Sequence, residues 1–171
     1  MTITEYLTAD HERLDKLLAR VVEQESLQAG ASITSPNYNA FKNGMLLHIR
    51  IEETLLLPAA KQANNGEPLA IAAKLRLDHG AIAALVVPPP NLKLLQALQT
   101  VLKSHNPLED GPLGAYAVCD TLLDNAEVAR IIQTIGAMSP VPFSKTINPV
   151  LAMESAGRAL ERAGFSRSLV S

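Results

Sequence analysis

In the stretch LLHIRIEETLLLPAA, residues 46–60, a histidine, His48, and a carboxylate, Glu52, stand four residues apart in an apolar run. Residues at i and i+4 lie one above the other on the same face of a helix. Met45, Leu55, Leu56 and Ala59 fall close to that face, which makes it a buried one. A carboxylate out of water is costly unless it is paired or bound to a metal. The spacing therefore asks for a compensating partner. The chain has four histidines, His11, His48, His79 and His105, and their surroundings repeat. DHERLDKLL at 10–18 is echoed by DHGAIAALV at 78–86, with apolar residues three and six after the histidine. HIRIEE at 48–53 is echoed by HNPLED at 105–110, so the order is DH, HxxxEE, DH, HxxxED.

Four imidazoles and two carboxylates are the inventory of a pair of transition-metal ions. Imidazole suits iron, carboxylate oxygens can bridge two cations, and facing helices are the usual place to build such a site. The candidate metal ligands are His11, His48, Glu52, His79, His105 and Glu109. The rival ferritin-like site needs Glu-x-x-His, and here Thr8, Met45, Arg76 and Leu102 stand three residues before the histidines.

The elements that must carry these residues read as helices. Tyr6, Leu7, Leu14, Leu17, Leu18, Val21 and Val22 recur at helical spacing over 3–28. Asn, Pro, Ser and Gly between 29 and 37 mark a loop, and Ser35-Pro36 opens a second helix. That helix runs to Asn64, stops at Gly66 and should be bent by Pro58. Pro68 opens a third helix, ended by the prolines at 88–90. A fourth starts near Leu92 and passes through VLKSHNPLEDGPLGAYAVCDTLL, its middle disturbed by Pro107, Gly111, Pro112 and Gly114. A shorter helix fits 125–136, MSPVPFSKTINP reads as loop, and 150–163 as a final helix. One histidine falls on each of the four long helices. The expectation is an all-α fold: an up-down four-helix bundle over residues 1–137, with a short helical C-terminal extension, 138–171, packed on its outside. The repeat then supplies a pseudo-two-fold axis that draws the four imidazoles, Glu52 and Glu109 towards one layer of the core.

Other residues carry competing readings. Asp10 and Asp78, each just before a histidine, are candidates to accept from a ring N–H, but read rather as solvated surface carboxylates, because consecutive helix residues face different ways. Asp15, one turn after His11, is the better candidate to accept a hydrogen bond from a ring N–H. Glu53 and Asp110 read as surface or hydrogen-bonding acids, and as substitutes if a metal needs another ligand. Asn106-Pro107-Leu108-Glu109 also reads as an N-cap, a proline at N1 and an acid at N3, which would use Glu109 to start a new helix. Tyr116, two turns past Glu109, reads as a buried structural tyrosine, with donation to the site as the alternative. Cys119 reads as a small core residue.

On these residues the chain resembles the hemerythrin-like family, also called the HHE cation-binding domain. HIRIEETLLLP resembles the family's His-x3-Glu-Glu followed by Leu-Pro, and SHNPLEDGPLGAYAVCD its second such segment, over roughly residues 5–136. The resemblance implies a non-haem di-iron centre that binds or responds to dioxygen, peroxide or nitric oxide. It implies two iron ions with His11, His48, His79 and His105 as terminal ligands. Glu52 and Glu109 would bridge them, together with an oxo or hydroxo group. Oxygen-carrying hemerythrins have a fifth histidine one helical turn from the third; Leu75 and Ala83 occupy the turns on either side of His79. The implied site is more symmetric and poorer in ligands, like members linked to iron or oxidant sensing. A metal- and oxygen-binding protein is expected rather than an enzyme. The alternatives are a di-iron enzyme that reduces peroxide or oxidises ferrous iron, and a metal-free sensory or scaffold bundle. Peroxide turnover distinguishes the first and iron content the second.

Bulk properties narrow the class. The formal net charge of −2, with both signs scattered, leaves no footprint for nucleic acid or an anionic membrane surface. No apolar run is long enough to span a bilayer, and the charged N-terminus is no signal peptide. A single cysteine excludes an internal disulfide and fits a reducing cytoplasm, so a soluble cytoplasmic protein is expected.

Overall fold

The computed structural model of the chain describes residues 1–27, 36–142 and 147–171. The loop expected over 29–37 falls mostly outside the described residues, as does the middle of the 138–149 loop. Every regular element among the described residues is helical. In order they are α1 (Ile3–Leu27), α2 (Pro36–Ile51), a π-helical turn (Glu52–Leu56), α3 (Leu57–Ala63), α4 (Ala72–Leu85), α5 (Leu92–Asp110), α6 (Ala115–Leu122), α7 (Asn125–Gly136), α8 (Pro149–Arg162) and a short 3-10 turn (Arg167–Leu169).

Helix α1 packs on α2, α5 and α6, while α4 packs on α5 and α8. The apolar stripes of these helices meet in two clusters rather than one. One gathers Leu14, Leu18, Phe41, Met45, Ile82, Leu98 and Leu102 with neighbours. The other gathers Leu7, Ile51, Leu56, Leu75 and Tyr116 with the apolar face of α7. Each histidine lies at the boundary. His11 falls between Leu7 and Leu14, His48 between Met45 and Ile51, His79 between Leu75 and Ile82, and His105 between Leu102 and Leu108. The core is thus two oily ends separated by a polar layer.

The element boundaries follow local chemistry. Gly66 ends the second helical segment in a left-handed conformation, φ 86°, and its N–H closes on the Lys61 carbonyl at 2.9 Å. α4 begins at Ala72 rather than at Pro68. Pro68 holds the residue before it extended, and Leu69 is already buried in the core before the chain coils. The expected fourth helix is two, α5 and α6, broken at residues 111–114. α8 places Ala156, Ala159 and Leu160 in the same cluster as α4 and α5. Its end is fastened by Lys74, whose ammonium donates to Asp78 at 2.5 Å and to the Ala163 carbonyl at 3.0 Å, and lies 5.1 Å from the Phe165 ring centre.

Candidate metal centre

Two prolines and two glycines shape the helices that deliver the polar layer. In a continuous α-helix Pro58 would leave a carbonyl without a donor and clash with the preceding turn. The chain winds wider instead: in the π turn the Leu57 N–H bonds the Glu52 carbonyl, five residues back. Pro58 then sits in the first turn of α3, where no N–H is needed. The bend expected at Pro58 is realised as this turn, which begins at Glu52. Pro107, by contrast, does not start a new helix; α5 runs through it to Asp110. Lys103, whose carbonyl loses its donor, lies on the exposed face where water can serve it. Glu109 is therefore a full helical turn below His105 with its side chain buried, and the N-cap reading of it does not hold.

The chain turns back immediately after Glu109. A Cβ at Gly114 would sit 2.4 Å from the Glu109 carbonyl oxygen, and one at Gly111 2.4 Å from that of Pro107, so only glycine permits so tight a return. The return brings α6 against α1. Asp120 accepts from the Ile3 and Thr4 N–H groups at 2.7 and 3.2 Å, capping α1 from outside it. Tyr116, one turn earlier on α6, then points into the polar layer.

All six residues singled out by spacing are buried in that layer. Ligand atoms of His11, His48, Glu52 and Glu109 form one close group, and those of His79, His105 and Glu109 a second. Glu109 joins the two: its Oε1 is 3.1 Å from His79 Nε2, and its Oε2 is 3.0 Å from His105 Nε2 and 3.4 Å from His11 Nε2. Glu52 also spans both groups, with Oε1 3.4 Å from His48 Nε2 and Oε2 3.2 Å from His79 Nε2. The rings pair accordingly, His11 with His48 at 4.6 Å and His79 with His105 at 4.9 Å between centroids.

Every histidine also has an acid at Nδ1. His48 meets Asp10 at 2.9 Å, His11 meets Asp110 at 3.0 Å and His79 meets Glu53 at 2.8 Å, each a hydrogen bond. His105 has Asp78 at 3.4 Å, close but misaligned, and neither atom finds another partner. The surface reading of Asp10 and Asp78 is corrected here. Asp78 is fully buried, and Asp10 binds not its neighbour His11 but the histidine of the next helix. The acid at His11 is Asp110 rather than Asp15. The repeated Asp before His was the sequence signal for both aspartates. Under the internal repeat the pattern is symmetric: Asp10 and Asp78 serve the HxxxE histidines, while Glu53 and Asp110 serve the DH histidines.

The electrostatics are those of a tightly coupled cluster. Burial opposes charge on His48, but the Glu52 charge and Asp10 raise it to about 10. Burial opposes His79 likewise, and Glu109, Glu52 and Glu53 raise it to about 11. His105 is raised against burial by Asp78 and Glu109. Burial pushes the Glu109 carboxyl up, yet His105, His11 and His79 hold it well below the usual carboxylate range; Glu52 is lowered against burial by His48. Tyr116 is buried, and its hydroxyl donates to Glu52 Oε1 at 2.5 Å. Its phenol is raised well above the ordinary value by burial and by the Glu52 and Glu109 charges. The Cys119 thiol is buried in the apolar cluster, which pushes it up to about 12.

The family model described as Hemerythrin HHE cation binding domain matches residues 2–124. No curated protein and no solved structure matches the chain. No helix among the described residues is long and apolar enough to cross a membrane.

Proposed function

The chain belongs to the hemerythrin HHE cation-binding family, and from that premise we propose that it holds a non-haem pair of iron ions with which it binds or responds to dioxygen, peroxide or nitric oxide. The observation that carries this reading is the convergence of four imidazole Nε2 atoms on two shared carboxylates, each imidazole having an acid at its other nitrogen. The donor set fits. Nitrogen and carboxylate oxygen suit iron, and the buried Glu52 Oε2 accepts no hydrogen bond despite lying near His79 Nε2. An oxygen left in that condition wants a cation.

His11 and His48 would hold one ion, His79 and His105 the other, with Glu52 and Glu109 spanning both. Once bound, the iron pair supplies electrons and open coordination positions to a small oxidant. The acids at Nδ1 keep the ring proton on that nitrogen and aim the Nε2 lone pair inward. The two apolar clusters keep bulk water from the layer between them. We read the long helices as an up-down four-helix bundle, because each one passes from one apolar cluster to the other and the direction alternates along the chain. Residues 1–137 are then the bundle and 138–171 its extension. The single buried thiol suits a reducing cytoplasm, where we place the protein.

Metal analysis with an absorption spectrum of the freshly purified protein tests the reading. Two irons per chain are expected from the two donor groups, and His48→Ala and Glu52→Ala should each abolish most binding. Unchanged metal content in both variants would remove its basis.

A further inference from the structure

We propose that Tyr116 is itself a metal ligand, bound through its phenolate oxygen to the ion held by His11 and His48, so that the two metal positions are unequal. The inference rests on the di-iron reading above and deepens it. The hydroxyl of Tyr116 is 2.5 Å from Glu52 Oε1, 3.2 Å from His11 Nε2, 3.2 Å from His48 Nε2 and 3.3 Å from Glu109 Oε2. A phenol has one proton to give. The two carboxylates can only accept, and once a cation replaces any proton on Nε2 of His11 and His48 those nitrogens also turn lone pairs to the same point, so one phenol proton cannot serve all four. Ligand atoms of these four residues lie within 4.8 Å of one another, and the phenol oxygen reaches all four, so the five together have the make-up of a ligand shell.

The spacing within the shell agrees. Ligands bound at about 2.1 Å on neighbouring corners of an octahedron lie roughly 3 Å apart. Three of the phenol oxygen's contacts are 3.2–3.3 Å and the one to Glu52 Oε1 is shorter, at 2.5 Å, while the edges His11–Glu109 and His48–Glu52 measure 3.4 Å each. On uptake of iron(III) the phenol O–H bond breaks, an oxygen–iron bond forms, and the proton leaves to bulk water. A cation in the shell reverses the repulsion that the two carboxylates otherwise exert on a phenolate.

The internal repeat shows that this is a property of one half only. Tyr116 stands seven residues after Glu109, and seven after Glu52 stands Ala59, which has no donor. The ion at His79 and His105 thus keeps one more open position than its neighbour. A small anion or oxidant should therefore bind at the His79 side.

The protein loaded with ferrous iron and oxidised in air is the material for the test. A broad visible phenolate-to-iron(III) band is expected, with tyrosinate ring vibrations in the resonance Raman spectrum excited within it. Ring-deuterated tyrosine should shift those vibrations. Tyr116→Phe should abolish band and vibrations while two irons remain; Tyr6→Phe should keep both. The wild-type spectrum decides alone if Tyr116→Phe does not fold. Two irons bound without tyrosinate vibrations would overturn the ligand assignment and leave the di-iron reading standing, whereas a wild-type protein that takes up no iron would overturn both.

Discussion

Each of the four imidazoles has an acid beside Nδ1, which favours a ring proton there and is the arrangement that the proposed cation at Nε2 would need. The inner six residues could be found by spacing, because His48–Glu52 and His105–Glu109 are each one turn apart on a single helix. The outer acids could not be found that way, since each serves a histidine on another helix: Asp10 for His48, Glu53 for His79, Asp78 for His105 and Asp110 for His11. Adjacent residues do face apart, but in a bundle the face that turns away from one histidine turns towards the next helix. Removing such a partner typically costs 10–100-fold in metal affinity. Asp10→Ala and Glu53→Ala are expected to weaken iron binding by about that factor, measured by competition with a coloured chelator, while Asp15→Ala leaves it unchanged. Equal affinities in all three variants would show that the Nδ1 contacts do not support the site.

The proline positions were visible in the sequence, but their consequences depended on what each helix could rearrange. Pro58 is absorbed by winding the preceding turn wider, and Pro107 is simply tolerated, since water can reach the carbonyl it orphans. The break after Glu109 showed in the sequence only as a cluster of Gly and Pro; the close approach that requires glycine there is a tertiary contact, invisible to periodicity. It makes the 111–114 turn the positioning device for Tyr116. Gly114→Ala must push α6 away from the Glu109 carbonyl. The cost expected is about 1–3 kcal/mol, as for overpacking elsewhere, read from chemical denaturation. The visible tyrosinate band should also weaken as the phenol moves off. A variant with wild-type stability and spectrum would show that the turn can relax without moving the helix.

Across the whole molecule the polar layer makes stability depend on pH in a way set by the ionised pairs. In the metal-free chain His48 and His79 lose protons at about 10 and 11 against 6.5 when unfolded. Their contribution is complete below pH 6.5 and disappears as pH rises through the folded values. Glu52 and Glu109 contribute above the ordinary carboxylate range and lose that contribution as pH falls through their lowered values. Metal-free protein should be most stable between those limits and lose stability on the alkaline side. Metal binding needs neutral imidazoles, so the loaded form gains as those protons leave. The difference in Tm between iron-loaded and chelator-treated protein should widen from acid to alkaline pH, as followed by calorimetry; a constant or shrinking difference would contradict a core site. Lys74 carries the same layer to the far end of the chain. It divides its donors between Asp78, beside His105, and the carbonyl at the end of α8, a helix beyond the matched residues 2–124. If the proposed cation at His105 draws on Asp78, the grip of Lys74 on α8 should tighten, and occupancy of the centre should register as backbone protection in a helix beyond the matched residues. Amide exchange across Pro149–Arg162 should slow on iron loading, and Lys74→Met should erase the difference; equal exchange with and without iron would show that α8 does not feel the centre.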